Sequence, residues 1–184
     1  MPSKWLGKPF IDAAEFLKST NPTAYENEYL GIANGSGGNV FDNLKIHRIN
    51  PEEFDAQDSF YNGLDFGFAV DPDAFIRWAY DKKRKRLFAV SEYYGARTPT
   101  DRLADEIKRR AGREVVRCDS ADPRMINELR QRGINAIGVK KGPGSVDHGM
   151  RWLQDIAEII IDPARTPNAA KEFSAYEYAQ NKDG

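Results

Sequence analysis

A single cysteine, Cys118, in a chain of 184 residues leaves no partner for an internal disulfide, and two histidines are too few for a Cys/His zinc cluster. That usage sets the expectation of an intracellular, reducing setting. Nowhere does the chain approach the ~20 consecutive apolar residues of a bilayer span, so no membrane partner is expected. The opening MPSKWLGKPF has neither a continuous apolar stretch nor a small-residue cleavage site, and it does not read as a secretory leader. A strong charge of one sign is also missing, because 27 Lys and Arg stand against 28 Asp and Glu. Such a balance by itself announces no nucleic-acid partner. It hides a mild asymmetry: residues 1 to 64 hold five basic and nine acidic side chains, residues 65 to 184 hold 22 and 19.

What is present suits one packed domain with a short appendage. Hydrophobic residues make up 40%, and the aromatic complement of Phe 10, Tyr 8 and Trp 3 argues against wholesale disorder. The first forty-odd residues read differently from the rest. A helix is expected over Ile11 to Lys18, and a second short one through Tyr25, Tyr29 and Leu30 after Asn21-Pro22. Asn34-Gly35-Ser36-Gly37-Gly38 then reads as a linker or tight loop, since its glycines are not followed by Gly-Lys-Ser/Thr.

From Tyr61 the pattern turns to strands. Leu64, Phe66, Phe68 and Val70 alternate with Asp65, Gly67 and Ala69, the period of a strand with one buried face. Asp71-Pro72-Asp73 turns the chain into a second strand, Ala74 to Tyr80. The basic run Lys82 to Arg86 reads as a solvated turn into a third strand, Arg86 to Tyr94. Past Gly95 the rhythm is helical and extended by turns. Thr100 or Asp101 can cap a helix through Ala111, Val115 to Cys118 is a strand, and Asp122-Pro123 opens a helix that stops at Gly133. A strand over Ile134 to Val139, a helix from about Ser145, a strand over Glu158 to Ile161 and a helix from about Pro167 to Ala179 complete the pattern. An antiparallel three-strand meander followed by βα units predicts an α/β fold, a mixed sheet flanked by helices with the outline of the ribonuclease H-like fold.

Two aspartates stand out on that outline. Asp65 lies mid-strand, on the face opposite Leu64, where a charge is costly unless paired. Asp119 stands at the carboxyl end of the strand closed by Cys118, the end of an open α/β sheet where ligands gather. If the two strands are neighbours, the carboxylates converge, and their repulsion calls for a hard cation such as Mg²⁺ or Mn²⁺. A pair of such ions ~3.5–4 Å apart can activate water and stabilise the leaving oxygen of a phosphodiester. Singly, Asp65 reads equally as a carboxylate beside a turn and Asp119 as a helix cap.

The stretches YNGLDFGFAVDPDAF, RLFAVSEYYG, CDSADPRMINELRQRGINAIGVKKGPGSVDHGM and EFSAYEYAQNKDG together resemble the C-terminal nuclease region of large terminase subunits of tailed phages and prophages, nearest the defective-prophage type. YENEYLGIANGSGGNVFDNL upstream is similar to the segment joining that family's packaging ATPase to its nuclease. The resemblance implies a helical and linker segment over 1–45 and a ribonuclease H-like nuclease domain over 46–184. It further implies an endonuclease that cuts concatemeric viral DNA in the bacterial cytoplasm with two divalent ions. Double-stranded DNA is the implied substrate, and a portal or small terminase subunit the implied partner. Asp65 and Asp119 match the family's first two catalytic metal ligands, with Glu92 and Asp122 as further acidic positions near the same segments. Two departures accompany the match. No P-loop motif is present, and the family's third catalytic aspartate lies on a helix beyond the segment matching Tyr176 to Gly184, with Asp183 a poor substitute. Weakened metal binding is the expectation, and a remnant that only binds DNA or packaging partners is the alternative. Another alternative is a different nuclease of this fold, such as a junction resolvase.

Lys140, Lys141 and the Gly142-Pro143-Gly144-Ser145 loop form a separate candidate for holding a DNA phosphate at a helix N-terminus. The alternative is a plain strand-to-helix connection capped by Ser145. His47 and His148 read as surface or packing residues, and the three tryptophans fall in unrelated segments without forming a stacking platform.

Overall fold

A computed structural model describes residues 15, 18, 40–55, 57, 59–67, 71–119 and 122–176. The helices expected before residue 34, the glycine-rich 34–38 stretch, Phe68 to Val70, Ser120 and residues 177–184 lie outside the described residues, apart from Glu15 and Lys18.

In chain order the elements are β1 (Leu44–Ile46), α1 (Pro51–Asp55), β2 (Phe60–Asp65), β3 (Pro72–Asp81) and β4 (Arg86–Ala96). They continue with α2 (Thr100–Ala111), β5 (Val116–Asp119), α3 (Pro123–Gln131), β6 (Ala136–Val139), α4 (Ser145–Asp155), β7 (Glu158–Ile161) and α5 (Pro167–Ser174). The described strands form one mixed sheet in the order β1-β7-β4-β3-β2-β5-β6. Strands β2, β3 and β4 are the expected antiparallel meander, and the remaining pairs are parallel. The crossovers through α2 and α3 set β5 beside β2 and β6 beside β5, as parallel pairing requires.

Burial follows the strand period. Leu64, Phe75, Val116, Cys118 and Ala136 face α2 and α3, where Leu103, Ile107, Ile126 and Leu129 close a core. The other end of that face is covered by α1, whose Phe54 packs with Ile49, Ala79, Phe88 and Ile160. The opposite face is covered over β1, β7, β4 and β3 by Val40, Phe41, Ile156 and the apolar sides of α4 and α5. With both faces covered, β7 reads Glu-Ile-Ile-Ile, the apolar run of a buried parallel strand. Over β2, β5 and β6 this second face is open, and Tyr61, Ile137 and Val139 are exposed on it. Where the open half meets α4 and α5, a largely apolar cleft of about 680 Å³ lies between Tyr61, Ile76, Trp78, Tyr94, Trp152 and Phe173.

Several boundaries differ from the sequence-based ones. β1 straddles residue 45, and Val40, Phe41 and Leu44 are buried in the sheet's core, so the packed unit reaches at least to Val40 rather than starting at residue 46. β2 begins at Phe60 and ends at Asp65, which is therefore the last residue of its strand and not its middle. Helix α2 is capped by Pro99 without a side-chain hydrogen bond, so neither Thr100 nor Asp101 caps it.

Candidate metal centre

Strand β2 ends at Asp65 because the chain turns at Gly67. The Gly67 amide donates to the buried Asp73 carboxylate at 3.1 Å, and a Cβ on Gly67 would lie 2.2 Å from the Asp71 carbonyl oxygen and 2.6 Å from the Pro72 carbonyl carbon. Only glycine fits so close a backbone approach. The turn returns the chain into β3, where Ala74 pairs with Asp65.

On its other side β2 runs parallel to β5, with Gly63 opposite Arg117 and Leu64 opposite Cys118. One residue further on, at the carboxyl ends of both strands, stand Asp65 and Asp119. Leu64 and Cys118 point into the α2/α3 core, so strand alternation sends both carboxylates to the open face. Strand pairing thus sets the two aspartates at neighbouring strand ends. The Lys141 ammonium, from the loop after β6, reaches this point and lies 2.6 Å from the Asp119 carboxylate. The hydrogen bond to Asp119 and the charge of Asp119 raise the Lys141 pKa, and the charge of Asp65 adds to them. Lys141 therefore feels both carboxylates.

The donor set fits a hard divalent ion: two carboxylates side by side, drawing a cation, with little neighbouring apolar cover. Among the described residues no group of three or more His, Cys, Asp or Glu side chains completes a metal cluster. Asp122 is occupied otherwise. Its Oδ1 accepts from the amides of Arg124 and Met125 at 3.0 Å each, capping α3 at the helix opened by Pro123. Glu92 lies on β4, two strand spacings from β2, and is not brought to the acid pair. Its Oε1 accepts from the Asn168 amide at 2.8 Å and from Asn168 Nδ2 at 2.7 Å, and its Oε2 accepts from the Ala169 amide at 2.9 Å. Glu92 is the acidic partner of the α5 N-terminus.

Lys140, on the loop after β6, and Ser145, at the loop's far end, are both exposed. Ser145 is the first helical residue of α4 and not its cap. That place belongs to Gly144, whose φ of 75° is the left-handed conformation glycine adopts without strain. His148 is exposed in the first turn of α4. Cys118, next to Asp119, is buried, and burial pushes its thiol up to about 11, so it packs without ionising.

Two features escaped the sequence. One is the Lys141 contact with Asp119, which depends on a loop 22 residues away folding back over β5. The other is a polar clamp beneath the site. Arg77 of β3 donates to both carboxylate oxygens of Glu114 at 2.6 and 2.8 Å, and the buried Asn62 of β2 donates to Glu114 at 3.0 Å and to the Val115 carbonyl at 3.1 Å. This clamp ties β2 to the start of β5 and so holds the register that sets Asp65 beside Asp119. A polar Asn62 on the buried side of FYNGLD was its one visible sign.

The comparisons with known proteins agree with this layout. The Terminase RNAseH like domain model matches residues 65–184. The large terminase subunit of Bacillus phage SPP1 is 43% identical over 98% of this chain, and the PBSX phage terminase large subunit of Bacillus subtilis is 32% identical over 68% of it. The chain spans 44% and 29% of those relatives' lengths. The solved g2p large terminase nuclease domain of bacteriophage SPP1, with bound Mn, superposes with a TM-score of 0.72 at 42% identity, covering 78% of this chain and 84% of that one. The P22 large terminase nuclease domain shares the fold at 17% identity and a TM-score of 0.60, over 78% of this chain and 80% of that one. A family match that opens at Asp65, the last residue of β2, and extends over β3, β4 and the βα units that follow leaves one assignment, and this chain belongs to the terminase RNase H-like domain family.

Proposed function

We propose that this chain is the nuclease part of a large terminase subunit, a divalent-metal-dependent endodeoxyribonuclease that cuts concatemeric viral DNA during packaging in the host cytoplasm. The observation that carries the reading is the placement of Asp65 and Asp119 side by side at the carboxyl ends of β2 and β5, on an uncovered sheet face. These two residues are the proposed ligands of Mg²⁺ or Mn²⁺, two ions in the complete site. Divalent ions held there supply an activated water and neutralise the leaving oxygen of a phosphodiester. The chain's own part is to hold the two carboxylates at fixed separation, through the Asn62–Glu114–Arg77 clamp below and the Gly67 turn beside them. Lys140, Lys141 and the N-terminus of α4 at Ser145 form the proposed phosphate-holding edge, a reading supported by the Lys141 contact with Asp119. Double-stranded DNA is the substrate in this reading, and a small terminase subunit or portal is the docking partner.

The test is nicking of supercoiled plasmid by the purified chain in Mn²⁺, Mg²⁺ or EDTA, beside Asp65→Asn and Asp119→Asn. Cutting that needs metal and vanishes in both variants is expected. Cutting that persists in EDTA or in either variant refutes the assignment of the acid pair. A folded parent that binds DNA yet never cuts it favours the second reading, a DNA-binding module, consistent with the two-carboxylate set among the described residues.

A further inference from the structure

The Lys141 ammonium sits 2.6 Å from Asp119, the aspartate at the strand end beside that of Asp65. It comes from a loop, and its side chain is 63% exposed while the Asp119 side chain is 21% exposed, so the contact can open without unpacking a core. The loop offers an ammonium that can swing: Lys140 to Gly144 are all exposed, and added side-chain atoms at Gly142 or Gly144 would meet nothing within 4 Å. A divalent ion at Asp119 Oδ2 would take the oxygen the Lys141 ammonium holds, and two cations on one carboxylate repel each other, so metal loading favours the ammonium's departure.

Resting on the reading of Asp65 and Asp119 as metal ligands, we propose that Lys141 is the built-in counter-ion of the acid pair. It holds the carboxylates together before metal enters, and metal loading releases it to the DNA backbone. Loading and phosphate capture are then linked in one event. Metal binding alone weakens little of the fold, because the released lysine was held at the surface. The charge of the divalent ion takes over the neutralisation, and the freed ammonium lies one loop away from the phosphate the site must hold.

The experiment is Mn²⁺ titration of the folded, DNA-free chain, read by the electron paramagnetic resonance of the free ion. The parent is compared with Lys141→Met, Lys140→Met and Asp119→Asn. Lys141→Met is expected to bind Mn²⁺ roughly fivefold more tightly, the factor set by an exposed ion pair of about 1 kcal/mol. Lys140→Met controls for the general loss of a nearby charge and is expected to stay close to the parent. Tightening in Lys141→Met that is absent, or no greater than in Lys140→Met, overturns the proposal while leaving the acid pair intact. Asp119→Asn is expected to lose Mn²⁺, and a variant that keeps the parent's affinity overturns the ligand assignment instead. The release half is read from DNA binding in Ca²⁺. The steepening of salt dependence on adding Ca²⁺ is expected to be about 0.9 smaller in Lys141→Met than in the parent, one phosphate contact fewer. Equal steepening in both refutes the release.

Discussion

Removing the Glu92 carboxylate separates a structural role from a metal-binding one. Glu92 accepts three hydrogen bonds at the start of α5, two of them from backbone amides that have no partner within their own helix. Thr166, the residue in the cap position, makes no side-chain cap, and its hydroxyl donates instead to the Asp162 carbonyl. The cap of α5 is thus a tertiary contact supplied by β4. Losing a cap costs about 1 kcal/mol, and leaving a half-buried amide without an acceptor adds about 1–3 kcal/mol, so Glu92→Ala is expected to cost about 3 kcal/mol. Glu92→Gln keeps one acceptor oxygen but turns an NH₂ toward the other amide and loses the charge facing the helix dipole, for about 2 kcal/mol. At about 2–4 °C per kcal/mol for a chain of this size, the melting temperature should fall by about 6–12 °C for Ala and by about 4–8 °C for Gln. The loss spreads because α5 carries Phe173, whose ring packs 5.2 Å from Phe41 and 5.8 Å from Trp78, centroid to centroid. Thermal unfolding followed by circular dichroism reads the shift, and Mn²⁺ titration of the same variants reads the metal. Both variants should bind Mn²⁺ like the parent. A Glu92→Gln protein that melts like the parent but loses Mn²⁺ would refute the capping role and make Glu92 a ligand.

The clamp beneath the site predicts a pH dependence. Burial pushes the Glu114 carboxyl up, but the hydrogen bonds from Arg77 and Asn62 and the Arg77 charge outweigh it and hold the group below its ordinary 4.5. A carboxyl lowered on folding stabilises the fold fully above that ordinary value, and the contribution disappears as pH falls through the lower folded value. The melting temperature of the parent should therefore drop more steeply below about pH 4.5 than that of Glu114→Gln, and parallel curves would refute the clamp. Gly67→Ala, which removes no functional group, should destabilise by about 3 kcal/mol or more and weaken Mn²⁺ binding, because the Cβ would run into the backbone of Asp71 to Asp73; calorimetry and metal titration check both. With Ca²⁺ present, replacing Lys140 and Lys141 together by Ala should lower DNA affinity and reduce the salt slope by about 0.9 per lysine, and an unchanged slope removes the loop from the DNA interface.

Much of the site was legible because its parts are local. Alternation around Leu64 and Asp65, a short apolar run closed by Asp119, and Asp122-Pro123 at a helix start are patterns within a few residues, and each recurs in the fold. The expected strand over Glu158 to Ile161 is matched residue for residue, since three consecutive isoleucines between turn signals have few other uses. β1 and α1 went unseen. Three residues of strand and five of helix are too short for a periodic signal, and their stability comes from packing against β7 and β3. Glu92 illustrates the opposite failure. An acidic residue near matched motifs looks like a ligand, but nothing in FAVSEYYG reveals that the first turn of a helix, at Asn168 and 76 residues later, lies directly over it.

What the sequence determined by itself is the class of fold and the two aspartates. Hydrophobic period and helix punctuation are written into neighbouring residues, and a charge on an otherwise alternating strand is visible wherever the strand ends up. The tertiary structure alone decided which acids meet. Parallel pairing of β2 with β5 put Asp65 next to Asp119, pairing through β3 carried Glu92 off to α5, and capping committed Asp122 to its own helix. It also brought Lys141 back over β5 to the acid pair. These outcomes depend on strand order and register, which are set by long-range burial and hydrogen bonding summed over the whole sheet, and no short segment of the chain carries that sum.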